Sequence, residues 1–135
     1  MAFTLDEQLA NDTTPVGDLP LSTVLLMNDS RFAWAILVPR REGLVELHDM
    51  SETDRNRLIS ESVEVSCALQ KLTAASKMNI ATLGNLVRQL HVHVIARKSD
   101  DEAWPRPVWG VGTPAPYARG QARACADALK AALGV

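Results

Sequence analysis

The sequence is poor in several residue types, and each scarcity closes off a class of function. Two cysteines, Cys67 and Cys125, stand far apart in expected helices, so there is no disulfide framework and no CxxC metal or redox spacing. They are expected to be reduced, buried thiols of a cytoplasmic protein. Positive charge is not in excess: 14 Lys and Arg against 16 Asp and Glu give a formal charge of -2. That balance offers no electrostatic footprint for duplex nucleic acid. No apolar run is long enough to span a bilayer. The first residues, MAFTLDEQLANDT, are acidic and carry no early basic residue, which argues against a secretory signal. Histidine is scarce too, with three in 135 residues. Two of them stand one residue apart, in QLHVHVIAR at Gln89–Arg97.

What is present reads as one α+β domain over residues 1–135. Thr4-Leu5-Asp6-Glu7 resembles a capping box before a short helix ending near Asn11. Pro15, Gly17 and Pro20 mark Asp12–Pro20 as a loop. Ser22–Asn28 and Phe32–Val38 read as strands of a hairpin, the second stopped by Pro39. Ser51 caps a long helix ending near Ser76, with Leu58, Val65, Leu69 and Leu72 inward and Ile59 beside them. Met78–Gly84 and Gln89–Arg97 are two more strands, turning at Gly84-Asn85. A last helix spans Tyr117–Leu133, with Ala118, Ala122, Cys125 and Leu129 inward and Gly134 as its stop. The expected architecture is an antiparallel sheet of four to five strands, with the long helix and the C-terminal helix packed against it. Trp104 and Trp109, two of the three tryptophans, lie in the proline-rich segment Asp100–Pro116.

Side chains alternate along a strand. Leu90, Val92 and Val94 should therefore face the helices. Gln89, His91, His93, Ile95 and Arg97 share the other face, which is mostly polar. Three readings of that face stand side by side. It is a solvated sheet surface; or a His-x-His metal site, which needs a third ligand that His48 is not placed to give; or a nucleophilic imidazole with neighbours that handle phosphate.

The stretch Gly84-Asn85-Leu86-Val87-Arg88-Gln89-Leu90-His91-Val92-His93-Val94-Ile95 resembles the histidine triad family of nucleotide hydrolases and transferases. Gln89, His91 and His93 fall on the three triad positions, and Val38-Pro39-Arg40 falls where the family ends its second strand. The element order matches over nearly the whole chain. The resemblance implies that His91 attacks an α-phosphate to form a nucleotidyl-histidine, and that His93 contacts phosphate or orients the nucleophile. It implies ribose contact at Asn28, phosphate contact at Asn85, a homodimer and a nucleotide partner. No cofactor is implied beyond Mg2+ brought by a polyphosphate, and no resident metal. Departures are plain: Gln89 replaces histidine, Phe32-Ala33-Trp34 replaces Pro-Gly-His, Leu86 replaces a small hydroxyl residue, and either Asn79 or Ala81 holds the place of an asparagine.

From the residues themselves, Arg97 shares the histidine face and is a candidate phosphate contact. Trp109 and Trp104 either stack on a base or anchor their loop. Trp34 and Met78 read as core or interface. The unbound ring nitrogen of His91 needs a proton acceptor, for which a backbone carbonyl is expected. Gln89 can hold a phosphate oxygen but cannot deliver a proton as an imidazolium can. Two function classes follow: an enzyme of dinucleoside polyphosphates or nucleoside phosphoramidates, or a nucleotide-binding module with weakened chemistry.

Overall fold

A computed structural model describes residues 2–135. In chain order it has α1 (Glu7–Asp12), β1 (Thr13–Asp18), β2 (Ser22–Met27), β3 (Ala33–Pro39), a single 3-10 turn at Leu47–Asp49, α2 (Glu52–Thr73), β4 (Lys77–Ala81), β5 (Val92–Arg97) and α3 (Gln121–Leu133). The strands form one antiparallel sheet in the order β1-β2-β3-β5-β4. The expected α+β architecture is therefore present, with five strands.

The fifth strand is β1, in the stretch expected to be a loop. Pro15 and Gly17 are breakers inside a sheet but are tolerated at an edge and at a bulge. Here β1 is an edge strand, and its register against β2 shifts between Pro15 and Gly17. A Cβ on Gly17 would stand 3.1 Å from the Val135 side chain, so the glycine also admits the chain's C-terminal end.

Helix α2 starts at the expected Ser51 cap, whose hydroxyl accepts from the Asp54 amide at 3.1 Å. Its buried face is Leu58, Glu61, Ser62, Val65 and Leu69, a regular helical stripe. Leu72 and Ile59, expected inward or beside that face, are exposed. The polar pair replaces them because both members are satisfied. The Glu61 carboxylate accepts from the amides of Leu21 and Ser22 at 2.8 and 2.9 Å, and the Ser62 hydroxyl donates to the Leu58 carbonyl. The helix ends at Thr73, and Ala74 adopts φ 55° as its cap.

Three further boundaries differ from expectation. The first helix is capped by Asp6, whose carboxylate accepts from Gln8 and Leu9, and not by Thr4. The last helix starts at Gln121, after Gly120 at φ 83° turns the chain, and not at Tyr117. Strand β5 begins at Val92, so Gln89–His91 lead into it from the segment 82–91. Cys67 is exposed on α2 and Cys125 is half-buried, both as free thiols, which corrects the expectation of buried ones.

Both faces of the sheet are covered. Leu90, Val92 and Val94 join the main core under α2 and α3, with Leu58, Val65, Leu69, Ala126 and Leu129. The opposite face carries a second core of Leu9, Leu25, Phe32, Trp34, Ile36, Val38, Ile95, Ala103 and Val108, with Phe3 and Leu5 packed on it. Ile95, the apolar exception on the histidine face, belongs there. Each large side chain so buried contributes roughly 1.5–3 kcal/mol. The N-terminal segment and the 98–116 loop thus roof this face and leave the start of β5 as the place where function can sit.

Candidate active site

His93 lies on β5 opposite Ile36 of β3 and Ala81 of β4. Ala81, not Asn79, holds the cross-strand place beside it; the Asn79 side chain instead accepts from Arg97 at 2.9 Å. His91 precedes the strand by one residue. The two imidazoles meet edge to face, with ring centroids 4.9 Å apart and planes at 72°. Each is only 5% exposed.

The two rings are held differently. His91 Nδ1 lies 2.7 Å from the Gln89 carbonyl oxygen. A carbonyl only accepts, so Nδ1 carries the proton and the lone pair is on Nε2. The acceptor expected to be a backbone carbonyl is this one. His93 Nδ1 lies 2.9 Å from the indole Nε1 of Trp34. Burial pushes the His93 imidazolium down to about 3, and the charge of His91 adds to the effect.

Trp109 stands against this pair. Its ring lies 5.0 Å from His93 and 5.6 Å from Trp34, edge to face with each, and is 36% exposed. Trp104 instead packs under the Arg97 guanidinium at 5.6 Å, as an anchor of its loop. A cleft of about 280 Å³ adjoins Trp34 and is lined by Asn11, Asp12, Met27, Asn28, Asp29 and Pro114. The Asn28 carbonyl oxygen accepts from the Tyr117 amide at 3.0 Å, which leaves its Nδ2 hydrogens as donors toward a ligand. Asp29 and Arg31 form the floor's brace. Burial alone would raise the Asp29 carboxyl, but hydrogen bonds from Arg31 and from the Ala115 amide outweigh it and hold the group below its usual range.

Other candidates are placed elsewhere. Arg97 is 1% exposed and each of its three nitrogens is engaged: Nε and Nη2 on Asp101, Nη1 on Asn79, Nη2 also on the Arg106 carbonyl. It braces the roofing loop, in place of the phosphate contact expected of it. Gln89 binds the N-terminal segment, its amide donating to the Thr4 carbonyl and accepting from the Asp6 amide, both at 2.8 Å. Asn85 is exposed in the segment 82–91. Trp34, expected in core or interface, is part of the second core and also binds His93. Its place two residues before Ile36 on the strand next to the histidines was the available signal. Among the described residues, no group of three or more His, Cys, Asp or Glu is arranged to hold a metal ion. No helix among them is long and apolar enough to cross a membrane.

Residues 8–100 match the family model of the HIT domain. The chain belongs to the histidine triad family. This histidine triad protein is 46% identical to the histidine triad protein of Bradyrhizobium japonicum, over 98% of this chain and 99% of that one, with a TM-score of 0.95. It is 46% identical to a histidine triad protein of Sinorhizobium meliloti, over 94% of each chain, with a TM-score of 0.91. One from Marinobacter aquaeolei is 42% identical over 99% of this chain and 98% of that one, with a TM-score of 0.95. No curated protein gives a significant match. The matched span contains Gln89, His91 and His93, and Trp34 is set against the last of these.

Proposed function

We propose that this protein is a nucleotide hydrolase or nucleotidyl transferase that works at the α-phosphate of a nucleoside phosphate, with His91 as nucleophile. One contact carries the reading: the 2.7 Å bond from His91 Nδ1 to the Gln89 carbonyl, which leaves the Nε2 lone pair for attack. In the first step Nε2 attacks phosphorus, a P–N bond forms, and the bond from phosphorus to the leaving group breaks with its electron pair. The imidazolium so made keeps its Nδ1–H on the Gln89 carbonyl, which stabilises the positive charge. In the second step water attacks phosphorus and the P–N bond breaks. His91 recovers its lone pair, and the proton of the water passes to solvent. A hydroxyl or phosphate acceptor in place of water gives transfer.

Under this proposal the remaining residues take these roles. His93 donates to a phosphate oxygen. The cleft beside Trp34 takes the nucleoside, with Asn28 donating to ribose and Trp109 as an open wall for the base. Asn85, exposed in the lead-in segment, is available to the outer phosphates. Mg2+ accompanies a polyphosphate as part of the substrate. The protein acts as a homodimer.

A second reading is a nucleotide-binding module with weak turnover. It is favoured by the near-complete burial of both imidazoles and by the engagement of Gln89 with the N-terminal segment. Labelled diadenosine polyphosphate and labelled AMP phosphoramidate separate the two. Release of AMP through a transient acid-labile adduct on the protein supports the enzyme. Tight binding without an adduct supports the module.

A further inference from the structure

The contact between Trp34 and His93 joins neighbouring strands. Trp34 pairs with Ile95 across β3 and β5, so its ring reaches His93 on the diagonal. It is held there from two sides, by Trp109 at 5.6 Å and by Phe32 at 6.5 Å, and is 5% exposed. An indole N–H donates and never accepts, and it does not titrate in water. Nδ1 of His93 is therefore the acceptor, and the ring proton sits on Nε2. Protonating Nδ1 would set two N–H groups against each other in a space closed by aromatic rings.

We propose that Trp34 is a positioning residue that locks His93 as the neutral Nε2–H tautomer, so that His93 serves as a fixed hydrogen-bond donor and not as a proton source. This deepens the nucleotide-hydrolase reading and rests on it. The surroundings agree. The groups facing His93 from the packed elements are Trp34 and Ile36 of β3, Ala81 of β4 and Trp109 of the roofing loop, none of them charged. The one titratable neighbour acting on it is His91, whose positive form opposes a second positive charge. The indole partner can only donate. A phosphate oxygen placed at His93 Nε2 thus always meets a donor, whatever the stage of the reaction.

The test starts from the unaltered protein, labelled with 15N. His93 should give a pyrrole-type Nε2 and a pyridine-type Nδ1 at pH 7, with an N–N coupling across the bond to Trp34 Nε1. W34F keeps an aromatic ring and removes the donor. It should lose that coupling and average the two His93 nitrogens. On the nucleotide substrate its kcat should fall about tenfold, with KM within about twofold, as expected for one lost neutral hydrogen bond felt in the transition state. A protonated Nδ1 in the unaltered protein overturns the proposal. So does a W34F protein with the same tautomer, or one that changes KM and not kcat. If W34F does not fold, the coupling in the unaltered protein decides. If the unaltered protein turns over no nucleoside phosphate, the hydrolase reading falls, and the tautomer measurement still upholds or overturns the lock.

Discussion

Gln89 binds Thr4 across 85 residues of sequence: its amide nitrogen donates to the Thr4 carbonyl at 2.8 Å, and its amide oxygen accepts from Asp6 two residues on. A primary amide presents a donor and an acceptor side by side, which is what an extended backbone segment needs. An imidazole at the same position can satisfy only one of the two. Gln89→Ala should therefore free residues 3–6 while leaving the sheet intact. Hydrogen exchange should speed up at Leu5 and Asp6 but not at Val94 or Ile36. The stability loss should be about 1–3 kcal/mol, for two hydrogen bonds at their usual net value. Unchanged exchange at Asp6 would show that the tie is not a working one.

His91→Ala should remove turnover and the acid-labile adduct, yet keep nucleotide affinity within about tenfold, or ~1.4 kcal/mol. Under the proposed mechanism the ring acts in bond making, while the base and ribose are held elsewhere. Calorimetry on the variant and the parent with a non-hydrolysable nucleotide checks the second half. Substantial residual activity would move the nucleophile to another residue.

Acid should destabilise the protein before its carboxylates titrate. In the folded protein burial holds the His93 imidazolium down to about 3, against the ordinary imidazole value of 6.5. The unfolded chain then binds the extra proton first. Stability is full above about pH 6.5 and falls as pH drops toward 3, at up to about 1.4 kcal/mol per pH unit. Asp101, lowered chiefly by its bond from Arg97, adds its loss only below the usual carboxylate range. Urea unfolding from pH 7 to pH 4 should give a slope that His93→Gln flattens. A slope equal in both proteins would assign the acid sensitivity to other groups.

Leaving groups should be sorted by how much proton they need. Gln89 is engaged with backbone, and a neutral His93 gives a hydrogen bond without giving up its proton. An amine leaves poorly without a proton, whereas a nucleotide or pyrophosphate leaves as an anion. The expected kcat/KM is therefore about 10-fold to 100-fold higher for a phosphoanhydride than for a phosphoramidate of the same nucleoside. Equal values would mean that an acid reaches the leaving group after all.

Light scattering at micromolar concentration should give the mass of two chains. Ile59, Val63 and Leu72 are about half exposed on α2, and Ile80 is exposed on the open edge strand β4, which suits a second copy more than solvent. A single-chain mass would remove the homodimer from the proposal.

How far the sequence could be read depended on which force decided each element. Alternation placed Leu90, Val92 and Val94 in the core, and a hydroxyl before an acidic turn placed Ser51 at the head of α2; both are local effects. Strand β1 was hidden because Pro15 and Gly17 are breakers everywhere but at an edge or bulge, and pairing with β2 decided the matter. Glu61 was hidden because a carboxylate on a buried stripe makes sense only once the amides of Leu21 and Ser22 arrive. His91 and His93 stood out by spacing and family likeness, and the structure brings their rings together. Arg97 was misjudged because a shared face does not say whether a guanidinium meets ligand or, as here, Asp101. The Trp34 bond joins residues 59 apart in sequence, and only the pairing of β3 with β5 brings them together.

All three tryptophans stand on the roofed face of the sheet, and none is in the core under the helices. The chain's own ultraviolet emission is therefore a built-in optical report on the histidine-bearing face. Trp109, partly exposed against His93, is the indole a bound base would quench. Trp34, shielded and tied to an imidazole, would register a change in its bond to His93. Trp104 follows the loop that Arg97 pins. A stopped-flow trace could time nucleotide capture and loop movement in one unlabelled molecule.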